Sequence, residues 1–432
     1  MTGESSLWRH TVGSPSPVPS LSSDIAADVV VVGGGFTGCS AALHLADAGA
    51  NVCVLEARTV GYGGSGRNVG LVNAGLWLPP DSVEEQLGKE IGSRLNNALA
   101  GAPAEVFALI ERFGISCEAT RHGTLHCAHS RRGLADLQRR HEQQRARQAP
   151  VDLLDADETA SRTGTTRFHG ALLDRRAGTI QPLGYVKGLA RAATAAGARL
   201  FEGSPVTHVH HDGANWIAQT AGGRVTAKHL IQATNAYDTR NGQPATYTPV
   251  HYFQCATAPL GGEQGRHVLP GGEGCWDTDT VMSSFRRDTA GRLIIGAVGN
   301  LDSFGGEVHK DWARRKLREL YPELSHMDFE HAWYGRIAMT ADHLPRVSRL
   351  GPNAVGIYGY SGRGIGPGTV FGKAAATWVS SGDESAFPLP IKDLHHERFS
   401  TVKALYYESG ATLVHLAKAR AAGRASTPTG DR

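Results

Sequence analysis

No stretch of this 432-residue chain reaches about 18 consecutive apolar residues, so nothing in it is long enough to cross a bilayer as a helix. Residues 1–27 are rich in Ser and Pro and have neither a basic start nor an apolar middle, so no secretory signal is expected there. An excess of charge of one sign is nearly absent: the formal net charge of +3 is too small to argue for a nucleic-acid partner. The six cysteines, at 39, 53, 117, 127, 255 and 275, form no C-x-x-C and no His-paired zinc spacing, and no metal site is expected. Cys39 and Cys53 fall in segments expected to be buried, where free thiols behave as small apolar groups, which suits a reducing cytoplasm. No internal repeat is present. What remains is a chain with 41% hydrophobic residues, long enough for two domains with substantial cores.

The most informative stretch is DVVVVGGGFTGCSAALHLADAGANVCVLEAR, from Asp28 to Arg58. Asp28 to Val32 reads as a buried parallel strand, because its apolar run is continuous rather than alternating. Gly33, Gly35 and Gly38 then supply G-x-G-x-x-G: a tight turn, a close approach for a pyrophosphate, and a close helix–strand contact. Phe36 and Thr37 sit inside that turn. Residues 37–49 read as the helix, with Ala42, Leu45 and Ala46 toward the sheet and Gly49 ending it. Asn51 to Leu55 reads as the second strand, and Glu56 follows it, a carboxylate placed to accept from ribose hydroxyls, with Ala57 and Arg58 beside it. A glycine-rich turn without a ligand is the plainer reading of such glycines alone. Strand, helix, second strand and acid in register favour a dinucleotide.

The glycine-rich loop GYGGSGRNVG, Gly61 to Gly70, resembles the flavin-binding loop of the D-amino-acid-oxidase-like family of FAD enzymes. Gly64, Ser65, Arg67 and Asn68 match that family's loop around the pyrophosphate and flavin ring, and GGSGRN followed by NAGLWLPP looks most like the branch holding γ-glutamylputrescine oxidase and bacterial L-pipecolate oxidase. Three further segments fit the resemblance. Val206 matches the position whose backbone contacts adenine. LIQATNAY, with Ala233 and Thr234, resembles the strand and turn returning to the pyrophosphate. AVGIYGYSGRGIGPGTVFGKAAATWV resembles the C-terminal flavin motif, with Gly362, Arg363, Gly364, Ile365 and Gly366 at a helix N-terminus, where free N–H groups stabilise negative charge on a reduced flavin. The resemblance implies an α/β fold: a Rossmann-like FAD-binding domain (25–100, 165–240 and 335–385), a mainly antiparallel-sheet substrate domain of the glycine oxidase and sarcosine oxidase kind (101–164 and 241–334), and a C-terminal helix and tail (386–432).

Periodicity outlines the remainder. Residues 81–113 read as a helical pair, 117–130 as holding a strand, and 131–148 as a basic helix whose arginines lie on a solvated face. Pro182 opens a helix ended by Gly197, and residues 204–237 read as hairpins turning at Asp212-Gly213 and Gly222-Gly223. Strands are expected in 250–260, 279–288 and 292–298, and an amphipathic helix over 312–324. Residues 401–424 read as a helix packed on the FAD domain. A surface helix touching anionic lipid is the weaker alternative, since Lys403, Lys418, Arg420 and Arg424 are thinly spread. The last eight residues are expected to be disordered.

The activity implied by the resemblance is oxidation of a C–N bond, a hydride leaving the carbon next to nitrogen for the flavin, with electrons passing on to oxygen or a quinone-type acceptor. A secondary cyclic amino acid such as L-pipecolate is the first substrate expected. A γ-glutamyl polyamine, a D-amino acid, or a non-catalytic FAD-binding subunit are the alternatives. Arg336, in Trp333-Tyr334-Gly335-Arg336, stands about where amino-acid-oxidising relatives clamp a carboxylate, against the reading of a structural strand-end arginine. Tyr252, Phe253 and Tyr334 are candidate pocket walls, although aromatics in a sheet are more often core. His251 and His343 are candidates for titration near neutrality, with structural histidines the commoner case. Sarcosine-oxidase relatives attach FAD through a cysteine before the C-terminal motif. Trp276 to Trp378 contains none, so non-covalent FAD is expected. The lysine those relatives hold over the flavin is replaced, on this alignment, by Ile294, which leaves a dehydrogenase open.

Overall fold

The computed structural model describes residues 6–13, 17–238 and 245–424. Two sheets organise it. In the first, strands run in the order Arg346–Gly351, Ala354–Tyr358, Gly223–Gln232, Ile25–Val32, Val52–Leu55 and Arg199–Phe201, with only the first antiparallel to its neighbour. The hairpin His208–His211 and Trp216–Thr220 extends from Gly223–Gln232. Val29, Val30 and Val31 are fully buried, as a strand covered on both faces requires. Helices Phe36–Asp47, Pro182–Ala195 and Ile365–Ser381 cover one face in a single core. A Cβ on Gly38 would sit 1.9 Å from the Gly33 carbonyl oxygen, and one on Gly372 would sit 2.5 Å from that of Thr37. A side chain at Gly38 would push its helix off the strand and turn, and one at Gly372 would push the two helices apart.

The second sheet has the order Phe329–Met339, Thr248–Pro259, Arg292–Val298, Ser283–Arg287, Gly274–Asp277, Thr124–Cys127, Ala171–Asp174 and Val151–Leu154. All its pairings are antiparallel except that of Gly274–Asp277 with Thr124–Cys127. Its outer face packs on helix Gly306–Leu320 through Phe253, Phe285, Trp312 and Leu317.

Several segments depart from the sequence expectations. Residues 81–113 form three helices, Pro80–Leu87, Lys89–Ala100 and Ala102–Arg112. Gly88 at φ +79° breaks the first pair, and Pro103 in the first turn of the third prevents continuation from the second. The helix expected over 312–324 begins earlier, at Gly306, and ends at Leu320, with Pro322 in a following 3₁₀ turn. Two segments pack otherwise than the sequence division has them. Ala102–Arg112 shares the core of the first sheet through Val106 and Leu109, and Ala171–Asp174 is a strand of the second sheet.

The C-terminal helix Ser400–Arg424 packs on the second sheet and helix Gly306–Leu320, not on the FAD domain. The reason is a set of specific contacts. His415 stacks on Trp312 with ring centres 4.5 Å apart and meets His309 at 2.8 Å, while Glu408 accepts from the Asn300 N–H at 3.2 Å. Val402, Leu405, Tyr406 and Leu413 of the same helix are exposed. Lys403 pairs with Glu397. The side chains of Lys418, Arg420 and Arg424, and the eight C-terminal residues expected to be disordered, lie outside the described residues. Among the described residues no helix is long and apolar enough to cross a membrane.

Candidate active site

Between the two sheets lies a cleft of about 1310 Å³. Every residue expected to bind cofactor lines it except Gly38, which stands behind it against Gly33. The first strand ends at Val32, and Gly33 at φ +110° turns the chain so that Gly35 caps the helix Phe36–Asp47. The Phe36 N–H donates to Ser65 Oγ at 3.0 Å, tying the helix start to the glycine-rich loop. A Cβ at Gly35 would meet that same oxygen at 2.9 Å, so a side chain there would have to displace Ser65. Glu56 accepts from the Gly34 N–H at 2.7 Å and the Arg58 N–H at 2.9 Å. Burial raises its pKa, outweighing those two hydrogen bonds, which act to lower it.

Arg67 and Asn68 shape the loop. Arg67 is buried, donating from Nε to the Tyr62 carbonyl at 2.7 Å and from Nη1 to that of Tyr334 at 3.1 Å. Asn68 Nδ2 donates to the Gly64 carbonyl at 2.9 Å while its Oδ1 accepts from the Gly70 N–H at 2.9 Å. The loop is therefore ordered by its own polar residues, as an Arg and Asn between apolar runs imply. At the C-terminal turn Gly362, Arg363 and Gly364 precede the helix Ile365–Ser381, and the Tyr360 hydroxyl meets that of Thr37 at 2.7 Å, joining the two helix starts.

The wall from the second sheet includes Tyr252, Gln254, Trp276, Ser284 and Val298. Tyr252 donates to Ser284 Oγ at 3.0 Å and lies 3.1 Å from the Gly296 carbonyl, and burial pushes its phenol upward, so it stays protonated. Arg336 lines the cleft but is exposed, its guanidinium over the Tyr237 ring at 4.6 Å. Tyr334 is not in the wall: its hydroxyl donates to Asp302 at 2.8 Å. Phe253 is fully buried in the sheet's outer core. His343 lines the cleft and His251 does not; burial lowers the pKa of His251. Ile294 is also out of the wall. It shares the face of Val298 four residues along its strand and is buried with Ala256 and Trp333. No lysine and none of the six cysteines, all of them buried, is among the lining residues.

Sequence reasoning missed Trp77, Arg140, Trp276 and Tyr237. Arg140 belongs to the helix expected to show its arginines to solvent. It stands three residues after the buried Leu137, and its Nη1 donates to the Trp77 carbonyl at 2.9 Å. An arginine in line with Gly133 and Leu137 was the available signal.

A parallel sheet with a glycine turn, a ribose-position acid, a second glycine-rich loop and a C-terminal helix directed at one cleft defines a flavin-dependent oxidoreductase of two domains. The family model described as FAD dependent oxidoreductase matches residues 28–378, and the chain belongs to that family. It is 32% identical to the probable oxidoreductase OrdL of Rhizobium meliloti (strain 1021), over 83% of this chain and 84% of that one. It is likewise 32% identical to the gamma-glutamylputrescine oxidoreductase of Escherichia coli (strain K12), over 84% and 85% of the two chains. The crystal structure of glycine oxidase from Geobacillus kaustophilus superposes with a TM-score of 0.69, covering 82% of this chain and 95% of that one at 22% identity. The chain is an FAD-dependent oxidoreductase acting on the C–N bonds of amines or amino acids.

Proposed function

We propose that the substrate is an amine carrying a carboxylate, with a secondary cyclic amino acid such as L-pipecolate the first to test. The observation behind this reading is the charge of the cleft. Arg67, Arg140, Arg336 and Arg363 line it, whereas among the described residues its lining carboxylates are Glu56 and Asp238, neither of them from the wall of the second sheet. A dicationic polyamine end finds no counter-charge on that wall. The same positive potential lowers the pKa of a bound amine, so the amine enters neutral with its lone pair free. Bound FAD would supply the acceptor for the hydride of the carbon next to nitrogen. The nitrogen gives its proton to solvent, leaving an imine that water hydrolyses. The chain's contribution is to orient the C–H and exclude bulk water, and positioning alone supplies much of such a barrier.

The likeness to gamma-glutamylputrescine oxidoreductase supports a second reading, a γ-glutamyl amine whose carboxylate lies far from the reacting carbon. Electrons pass on to oxygen or a quinone-type acceptor. An anaerobic screen of L- and D-amino acids, γ-glutamylputrescine and free polyamines, following loss of flavin colour, tests the reading. Bleaching by free polyamines in preference to every carboxylate-bearing amine would remove it.

A further inference from the structure

We infer that the recess formed by Trp77, Arg140, Trp276 and Arg363 receives the substrate's carboxylate, and that Arg336 does not. This rests on the reading of the substrate as a carboxylate-bearing amine.

Four separate elements build the recess. Trp77 follows the flavin loop, Arg140 comes from the helix Arg131–Ala146, Trp276 from the strand Gly274–Asp277, and Arg363 from the C-terminal flavin turn. All four line the cleft. A Cβ at Gly362 would lie 3.2 Å from Trp77 Nε1, so the recess adjoins the turn expected to hold the flavin. The Arg363 guanidinium lies 5.3 Å from the ring centre of Trp77 and 5.0 Å from that of Trp276.

What holds the two arginines is backbone carbonyl, not carboxylate. Arg363 Nη1 donates to Ala74 O and Arg140 Nη1 to Trp77 O, each at 2.9 Å, and neither arginine has an ion-pair partner among the described residues. The acids whose charge reaches them are engaged elsewhere: Asp174, acting on Arg363, pairs with Arg176 at 2.7 Å, and Asp136, acting on Arg140, pairs with Arg139 at 2.5 Å. His126 stacks on Trp276 at 4.8 Å, and burial together with the Arg140 and Arg363 charges keeps it neutral.

The decisive feature is a shared deficit. Arg140 Nε, Arg363 Nε, Trp77 Nε1 and Trp276 Nε1 are all shut off from solvent without an acceptor. A buried N–H without a partner is costly, and donors of this kind are normally satisfied. Two guanidinium groups without a counter-charge and two indoles whose N–H groups lack acceptors line the same part of the cleft, and a planar carboxylate there would supply the missing charge and acceptors once these side chains turn toward it. Burial and the neighbouring Arg140 charge also push Arg363 down to about 9, a penalty that a bound anion relieves. Arg336 has no such deficit: it is exposed and already stacked on Tyr237.

The test uses holoenzyme and two probes without an oxidisable C–N bond, pyrrole-2-carboxylate and pyrrole-2-carboxamide, titrated against the flavin absorbance spectrum. Wild type is expected to bind the carboxylate in preference. Arg140→Gln should weaken the carboxylate by about 30-fold or more, as for truncation of a buried charged pair, and leave the carboxamide unchanged. Trp77→Phe, which keeps the aromatic shape and removes one N–H, should weaken the carboxylate by about tenfold, again without affecting the carboxamide. If wild type fails to prefer the carboxylate, the substrate reading itself fails. If that preference survives both recess variants and is lost in Arg336→Ala, the substrate reading stands and this assignment is overturned. Loss of FAD from both recess variants, or equal weakening of both probes, would give the recess to the cofactor and overturn it as well.

Discussion

The Arg336 guanidinium lies over the Tyr237 ring, 4.6 Å from its centre, and the Arg336 backbone N–H donates to the Tyr237 hydroxyl at 2.9 Å. The same ring lies against the glycine-rich loop, 2.8 Å from where a Cβ on Gly63 would stand. Tyr237 thus joins the second sheet to the glycine-rich loop. Arg336→Ala removes an exposed cation–aromatic contact within the protein, worth about 0.5–1 kcal/mol of stability, so kcat/KM for a carboxylate-bearing amine should change by no more than about fivefold. Steady-state kinetics with the best substrate of the anaerobic screen measure this. A loss beyond about a hundredfold, with FAD retained, would exceed that contact and bring the carboxylate back to Arg336.

Gly35→Asp should abolish FAD binding. The new Cβ would stand 2.9 Å from Ser65 Oγ, and the carboxylate would bring negative charge to the pyrophosphate's place at a helix N-terminus. The variant should purify colourless and folded by far-UV circular dichroism. With no cysteine lining the cleft, heating the wild type should release its flavin into the supernatant as FAD. Yellow colour retained in the precipitate would reveal a covalent bond.

Trp8→Ala should weaken FAD binding from outside the cleft. Trp8 is fully buried, donates from Nε1 to the Asn68 carbonyl at 2.8 Å, meets Trp333 edge-on at 5.8 Å, and lies under the Arg286 guanidinium. Emptying that site costs about 3–5 kcal/mol and frees the loop that Asn68 organises. Thermal unfolding should show a lowered midpoint that added FAD partly restores, while Trp8→Phe should recover most of the packing and not the hydrogen bond. An unchanged midpoint would mean that the short helix Leu7–Thr11, which carries Trp8, is dispensable.

What the sequence makes legible follows from how locally each feature is encoded. Val29 to Glu56 is readable because one continuous apolar run, three glycines and one acid are bound by a fixed spacing, and the C-terminal turn is readable for the same reason. Trp77, Arg140 and Trp276 come from three distant segments, and each alone reads as something ordinary: a loop aromatic, a solvated helix arginine, a strand aromatic. Only folding brings them to one cleft. Trp8 is hidden by its setting, since five helical residues in a Ser- and Pro-rich stretch carry no periodicity to read. The C-terminal helix fails differently. Its apolar residues mark a helix, but the choice of the second sheet over the first rests on His415 and Glu408, polar residues that hydropathy does not weigh.

Glu56 should make FAD affinity depend on pH with a definite sign. In the FAD-free chain burial raises its pKa, even though the Gly34 and Arg58 N–H groups favour the ionised form. Each carboxylate oxygen keeps a further lone pair, and ribose hydroxyls donating there stabilise the ionised form alone, so bound FAD draws the pKa back down. Binding then releases a proton in the interval between the two values. FAD affinity should rise with pH through that interval and level off above it, and acid should promote release. For the FAD-free chain the sign is reversed: the folded carboxyl keeps its proton to higher pH than the unfolded one, so this group withdraws stability as pH rises from the unfolded value through the raised folded value. Glu56→Gln should abolish both dependences and weaken FAD by about 1.5–3 kcal/mol at neutral pH, the worth of hydrogen bonds to a charged group. Fluorescence titration of the apoprotein with FAD across the acidic range measures the first, and thermal unfolding of the apoprotein over the same range measures the second. A wild-type affinity that stays flat through that range, or a Gln variant as pH-dependent as wild type, would remove Glu56 from the ribose.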